Sequence, residues 1–206
     1  MGLSLPKKKQ AWQQVVQAKI RNQAANFSAG SAESASVARF VKMVRSGDVS
    51  NVEAQAARRY WSVIGDKKFR RLQQTRNGIN GALDFGYAIV RALTARAIVS
   101  AGLHPAIALH HSNRVNPFAL ADDLMEPLRP FVDEIVLGGN FEYTDELNPT
   151  SKASLLAVLQ LEVEYRERSG PLTEAVDHYV LGYKRFVFAE CDRIEFPARG
   201  SCGIDQ

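Results

Sequence analysis

The chain is 206 residues long, with 26 Lys and Arg against 22 Asp and Glu, 46% apolar content and 2 cysteines. That apolar fraction argues against disorder, and Cys191 and Cys202, which lack CxxC spacing, argue against a disulfide scaffold or a zinc ribbon. The length suits one sizeable core or two small ones, and so few cysteines point to a reducing, cytoplasmic setting.

The first expected helix is amphipathic, with Trp12, Val15, Val16 and Ile20 on one stripe. It follows Lys7-Lys8-Lys9 and is no solid apolar block, so it does not read as a secretory signal. Asn26 to Ser36 reads as a loop of mostly small residues. Val37, Phe40, Val41 and Val44 then repeat at helical spacing. A third helix is expected from about Ser50 through Ile64, with Ala56, Ala57, Tyr60 and Ile64 facing inward, and the basic run Lys67, Lys68, Arg70 and Arg71 follows it.

Leu83 to Ser100 is apolar on nearly every side and is the best candidate for a buried central helix, stopping at Gly102 ahead of Pro105. The same Gly and Pro break the longest uncharged stretch, Ala97 to Asn113, which rules it out as a membrane span. Ala121, Leu124, Met125, Leu128 and Val132 keep helical spacing despite Pro127 and Pro130. Leu155, Leu156, Leu159 and Val163 mark another helix, and Thr173 to Cys191 the last. No period-2 run is long enough to build a sheet. The expectation is an all-α fold, a single helical domain over residues 1–206, with irregular loops at Ala101 to Pro117 and Leu137 to Ser151.

The net charge hides an asymmetry. Residues 1–76 carry 15 Lys and Arg against 4 Asp and Glu, a formal +11, whereas residues 77–206 carry 11 against 18, a formal −7. A basic first third suits a polyanion such as DNA or RNA, because clustered cations release its counterions. Solvated helix faces would look the same on charge alone.

Three sets of residues could do chemistry. Glu53 shares the inner face of the third helix, where a carboxylate must be paired, protonated or bound to a cation. Alternatively, Ser50-Asn51-Val52-Glu53 is a capping box, with the glutamate closing on the helix's own amide. His110 and His111 lie in the loop after the central helix. Asp122, Asp123 and Glu126 follow at one-turn spacing, and Pro127 and Pro130 remove the amides that would bond the carbonyls of Asp123 and Glu126, so a bend is expected there. One imidazole with two or three carboxylates suits Mg²⁺ or Mn²⁺ better than zinc or copper, and such a site in a protein with a basic region suggests phosphodiester chemistry.

Gly102-Leu103-His104-Pro105, His110-His111, Asn113-Arg114, Asn116-Pro117-Phe118 and Ala121-Asp122-Asp123-Leu124-Met125-Glu126-Pro127-Leu128-Arg129-Pro130 closely resemble the signature of the CRISPR-associated endonuclease that integrates new spacers. Asp84-Phe85-Gly86-Tyr87-Ala88 looks like that family's helix-opening motif, and Val52 to Trp61 like its first acidic motif. The order is right, and together they span most of residues 50–130. Asp-Leu-Met-Glu-Pro and the opening Lys-Lys-Lys-Gln-Ala-Trp resemble the members found with single-effector systems.

The resemblance implies a metal-dependent DNA endonuclease and integrase in which Glu53, His111 and Glu126 are the catalytic metal ligands for Mg²⁺ or Mn²⁺. His111 is preferred to His110 because the motif's histidine sits nine residues after its glycine. Asp123 becomes a neighbouring acid, either a water-mediated ligand or a residue that orients one. Arg58, Arg59, Lys67, Lys68, Arg70, Arg71 and Arg114 are the candidates for phosphate contacts. Implied partners are prespacer and repeat DNA, a small ferredoxin-like Cas protein and a second copy of the chain. Family members begin with a β-rich dimerising domain, and this chain is expected to start in the helical part, which puts dimerisation and full activity in question. The alternative reading is a non-catalytic helical DNA-binding remnant.

Overall fold

A computed structural model of the chain describes residues 3–64, 69–73, 77–111, 115–138 and 147–199. The fold is mostly helical. In chain order it runs α1 (Leu5–Ala25), α2 (Ala32–Ala38), α3 (Val52–Ile64), α4 (Gly78–Ser100), α5 (Ala119–Leu124), α6 (Arg129–Leu137), α7 (Pro149–Leu155), a hairpin of β1 (Glu162–Tyr165) and β2 (Arg168–Pro171), and α8 (Leu172–Val187). No helix among the described residues is long and apolar enough to cross a membrane.

Two long helices organise the packing. α1 buries Ala11, Trp12, Val15, Val16, Ala18 and Ile20, and packs against α2, α3, α6 and the turn that precedes α6. α4 packs against α5, α6, α7 and α8. It is buried on most of its circumference, but Ala88, Ala92, Arg96 and Val99 form an exposed strip, so it shares the central role with α1. At Gly86 the two layers approach closely: a Cβ there would lie 2.3 Å from Cγ1 of Val132 on α6.

Helix ends follow local chemistry. Gly102 adopts φ 74°, and its amide bonds the Val99 carbonyl while the Leu103 amide bonds that of Ile98, a Schellman stop where Gly102 and Pro105 predict one. α2 begins inside the segment read as a loop, because Ser31 caps it by accepting from the Ser34 amide at 3.1 Å. Beyond Ala38 the predicted stripe tightens into a 3₁₀ turn, Arg39–Met43.

The helix expected through Val163 ends early. After α7 the chain makes a 3₁₀ turn, Leu156–Gln160, and then enters the antiparallel hairpin, with Val163 opposite Gly170 and Tyr165 opposite Arg168. Arg166 and Glu167 have φ of 49° and 58°, both positive as a two-residue hairpin turn of matching twist requires. Val163 and Tyr165 are buried while Glu162 is exposed. A strand of four residues is too short for that alternation to stand out in sequence.

Candidate functional site

The bend expected at Pro127 and Pro130 is a break. α5 ends at Leu124, Glu126–Leu128 form a 3₁₀ turn, and α6 starts at Arg129. Two asparagines one turn apart, Asn22 on α1 and Asn26 at its C-cap, hold this segment. Asn22 donates to the carbonyls of Pro127 at 2.8 Å and Pro197 at 3.0 Å, and Asn26 donates to that of Pro130 at 2.9 Å. Glu126 is thereby pressed against α1, with its side chain 9% exposed.

Glu53 enters from the opposite side, on the first turn of α3. The capping box does not form. Asp48 accepts from the Val52 and Glu53 amides, both at 2.9 Å, and Asn51 from that of Ala54 at 3.3 Å. Asp48 and Asn51 have positive φ, 46° and 51°, which folds the preceding turn back over the helix end. With those amides satisfied, the Glu53 side chain is left to reach across to α1.

There both glutamates meet Lys19. Its Nζ lies 2.5 Å from Oε1 of Glu53 and 2.5 Å from Oε2 of Glu126. The second oxygen of Glu126 takes Arg129 at 2.9 Å. Burial alone would lower the Lys19 pKa, but Glu126 and Glu53 outweigh it and hold the ammonium above its usual value. Burial likewise would raise that of Glu126, and Lys19 and Arg129 outweigh it and keep the carboxylate ionised. Lys19 carries no motif, yet it falls in register with Trp12, Val15 and Val16, and a lysine on an apolar stripe calls for a buried carboxylate.

The histidine loop is held by Asp123, which is fully buried. One oxygen accepts from the Leu109 and His110 amides, both at 2.8 Å. The other takes the His111 amide at 3.3 Å and His111 Nδ1 at 2.5 Å. That contact, ahead of the opposing effect of burial, raises the His111 pKa, and Glu126 and Glu53 add to it. A ring that donates from Nδ1 presents its lone pair at Nε2. His110 is placed differently, its ring stacked on buried Trp12 at 4.2 Å between centroids, and burial lowers its pKa. Asp122 faces away from this cluster, pairing with Arg91 at 2.5 Å.

Behind Glu126 runs a second polar network. Arg129 lies over the Tyr87 ring, 4.7 Å from its centroid. Tyr87 and Tyr60 both donate to the buried Asp133, the latter at 3.0 Å, and burial pushes the Asp133 pKa up to about 6 despite those bonds. The motif Asp84-Phe85-Gly86-Tyr87 therefore lies more than a turn inside α4 and serves packing there: Asp84 pairs with Arg71, Gly86 admits Val132 and Tyr87 reaches Asp133.

Glu53 and Glu126 are thus brought to one point, with His111 near enough to feel both charges. Among the described residues, no three His, Cys, Asp or Glu side chains are arranged to hold a metal ion. Of the proposed phosphate contacts, Arg58 and Arg70 are exposed. Arg59 donates to Ser36 at 2.9 Å, and Arg71 is engaged by Asp84 and by Asn80 at 3.0 Å. Lys67, Lys68 and Arg114 lie outside the described residues.

Residues 5–140 match the family profile described as CRISPR associated protein Cas1. The CRISPR-associated endonuclease Cas1 of Neisseria meningitidis serogroup C (strain 8013) is 36% identical over 188 residues, which are 89% of this chain and 61% of that protein. CRISPR-associated endonuclease Cas1 2 of Pyrobaculum aerophilum is 32% identical over 133 residues, 63% of this chain and 45% of that protein. The chain therefore spans less than two thirds of the length of these relatives. Among solved structures, a casposase bound to integration product superposes with a TM-score of 0.73 at 20% identity, covering 97% of this chain and 66% of that one. A Cas1 protein from Thermotoga maritima gives 0.71 at 19% identity, covering 89% and 67%. Likeness at that identity speaks to the fold. The match over residues 5–140 goes further, and by it the chain belongs to the Cas1 family of CRISPR-associated proteins.

Proposed function

We propose that this chain is the helical catalytic part of a metal-dependent DNA endonuclease and integrase, with Glu53, His111 and Glu126 as ligands of one Mg²⁺ or Mn²⁺ ion. The observation that carries the reading is the convergence of Glu53 and Glu126, from elements far apart in sequence, on a single half-buried cation position. The donor chemistry suits a hard divalent ion, with two carboxylates meeting at one point and an imidazole nearby whose Nδ1 is taken by Asp123, and the ammonium of Lys19 stands in for a cation between the carboxylates. Such an ion, when bound, supplies charge neutralisation at the phosphodiester and activation of the attacking hydroxyl or water.

The remaining work falls to the chain's own residues. Asp123 holds the histidine loop and sets the His111 tautomer. Arg129 keeps Glu126 ionised and oriented. Arg58 and Arg70, which are exposed, are the candidates to meet DNA phosphates, with Lys67, Lys68 and Arg114 as further candidates. The proposed substrates are prespacer and repeat DNA, joined by attack of a 3′ hydroxyl. A solved neighbour described as a Cas6-RT-Cas1–Cas2 complex, at a TM-score of 0.72 and 17% identity, shares the fold. Association with a small ferredoxin-like Cas protein and with a second copy of the chain is proposed on family membership.

The test is nicking and strand transfer on branched DNA with Mn²⁺ or Mg²⁺, comparing the parent with Glu53→Gln and His111→Ala. Product in the parent and none in the variants, with the helical fold retained by circular dichroism, is the expected result. Salt-sensitive DNA binding with no metal-dependent product in the parent would instead mark a non-catalytic binding protein.

A further inference from the structure

We infer that Lys19 is a built-in counter-ion of the glutamate pair, which holds Glu53 and Glu126 together in the metal-free chain and must withdraw for a divalent ion to bind. Its Nζ is 2.5 Å from an oxygen of each carboxylate, which is the space an ion bonded to both would need. Charge makes the same demand. Two carboxylates already face two cations, Lys19 and Arg129, and the latter sits on the outer oxygen of Glu126 at 2.9 Å. A dication added to that set would leave a buried excess of positive charge. Arg129 can stay, since it does not use the shared position.

The side chain has the means to leave. Lys19 stands in the second turn from the end of α1, between Ala18 and Ile20, and its backbone is fixed by the helix. Only the flexible four-carbon stem has to swing, carrying the ammonium toward the rim where Glu53 is 21% exposed. Metal affinity then includes the cost of displacing Lys19, as for any ligand whose receptive state is the minor one. The same contact stabilises the metal-free fold by keeping two like charges from facing each other unscreened. Lys19 is therefore a positioning residue whose two effects have opposite sign: it strengthens the metal-free protein and weakens metal binding.

Lys19 has this role only if Glu53 and Glu126 take a divalent ion, as proposed above, and the two ideas fail separately. Mn²⁺ binding to the parent, Lys19→Met and Glu53→Gln, measured by calorimetry with a parallel thermal melt, distinguishes them. The expected result is a Lys19→Met protein with a lower metal-free melting point, at least tenfold tighter Mn²⁺ binding than the parent and a larger Mn²⁺-induced rise in melting point, whereas Glu53→Gln binds at least tenfold more weakly. A purely structural lysine would weaken both stability and binding, and equal or weaker Mn²⁺ affinity in Lys19→Met overturns the inference. No Glu53-dependent Mn²⁺ binding in the parent overturns the metal reading and this one with it. If Lys19→Met does not fold, reductive methylation of the parent answers the same question by mass spectrometry. Lys19 should be protected without metal and labelled severalfold faster with saturating Mn²⁺, relative to Lys152, and continued protection refutes its withdrawal.

Discussion

Replacing Asp123 with Asn changes one atom and should separate stability from the chemistry of His111. In the parent, one carboxylate oxygen accepts from the Leu109 and His110 amides at 2.8 Å, and the other from the His111 amide at 3.3 Å and from Nδ1 at 2.5 Å. Hydrogen bonds to a charged acceptor contribute roughly 1.5–3 kcal/mol each and neutral ones about 1 kcal/mol. With the carboxamide oxygen turned to Leu109 and His110, those two bonds survive at reduced strength, a loss of about 2 kcal/mol. The new NH₂ group then faces the His111 amide, which loses its acceptor at a further cost of about 1 kcal/mol. The net expectation is a loss of about 3 kcal/mol in a urea titration, with the helical fold retained.

The ring responds differently. Facing an NH₂ donor, Nδ1 must become the acceptor, so the proton moves to Nε2 and the ligating lone pair is lost. Nitrogen-15 shifts of His111 should show protonation at Nε2 in Asp123→Asn, and Mn²⁺ affinity should fall by about 10- to 100-fold, the usual cost of losing a group that orients a ligand. Retention of the Nδ1–H tautomer together with parental stability would refute this account of Asp123.

Two further expectations concern the scaffold. Gly86→Ala should destabilise the chain by about 1–3 kcal/mol even though Ala is the better helix former, because its Cβ would lie 2.3 Å from Val132 Cγ1. Gly86→Ala combined with Val132→Ala should lose less than the sum of the two single changes in urea unfolding, and additivity would show that the contact is not the cause. Asp133 should impose a pH dependence. Its pKa is pushed by burial up to about 6 from an ordinary 3.8, so between those pH values the folded chain keeps a proton that the unfolded chain has released. Stability from this group is therefore greatest at low pH and falls by about 3 kcal/mol as pH rises from 4 to 7. The difference in unfolding free energy between the parent and Asp133→Asn should shrink by that amount over the range, and a flat difference would count against the assignment.

Much of the helical layout was legible in the sequence, because a helix is specified locally. Periodicity and terminal residues marked α1, α3, α4 and α8, and Gly102 with Pro105 marked the end of α4. The prolines announced the break beside Glu126, since a missing amide acts on its own helix. The hairpin at residues 162–171 escaped because four residues carry too little alternation.

For the candidate site, residue type narrowed the choice to Glu53, the His110–His111 pair and the acids Asp122, Asp123 and Glu126, and the family resemblance singled out Glu53, His111 and Glu126 with Asp123 as their neighbour. What only the tertiary structure decided is how those side chains are partnered. Asp48 takes over the cap of α3 and leaves Glu53 to cross the gap, and Asp123 turns out to clamp the loop that orients His111. Lys19 meets residues 34 and 107 positions away, and Asp133 joins tyrosines from α3 and α4. The physical reason is that a buried charge is defined by what surrounds it. Local spacing says which face of a helix a carboxylate occupies, whereas the partner that makes its burial tolerable comes from another helix.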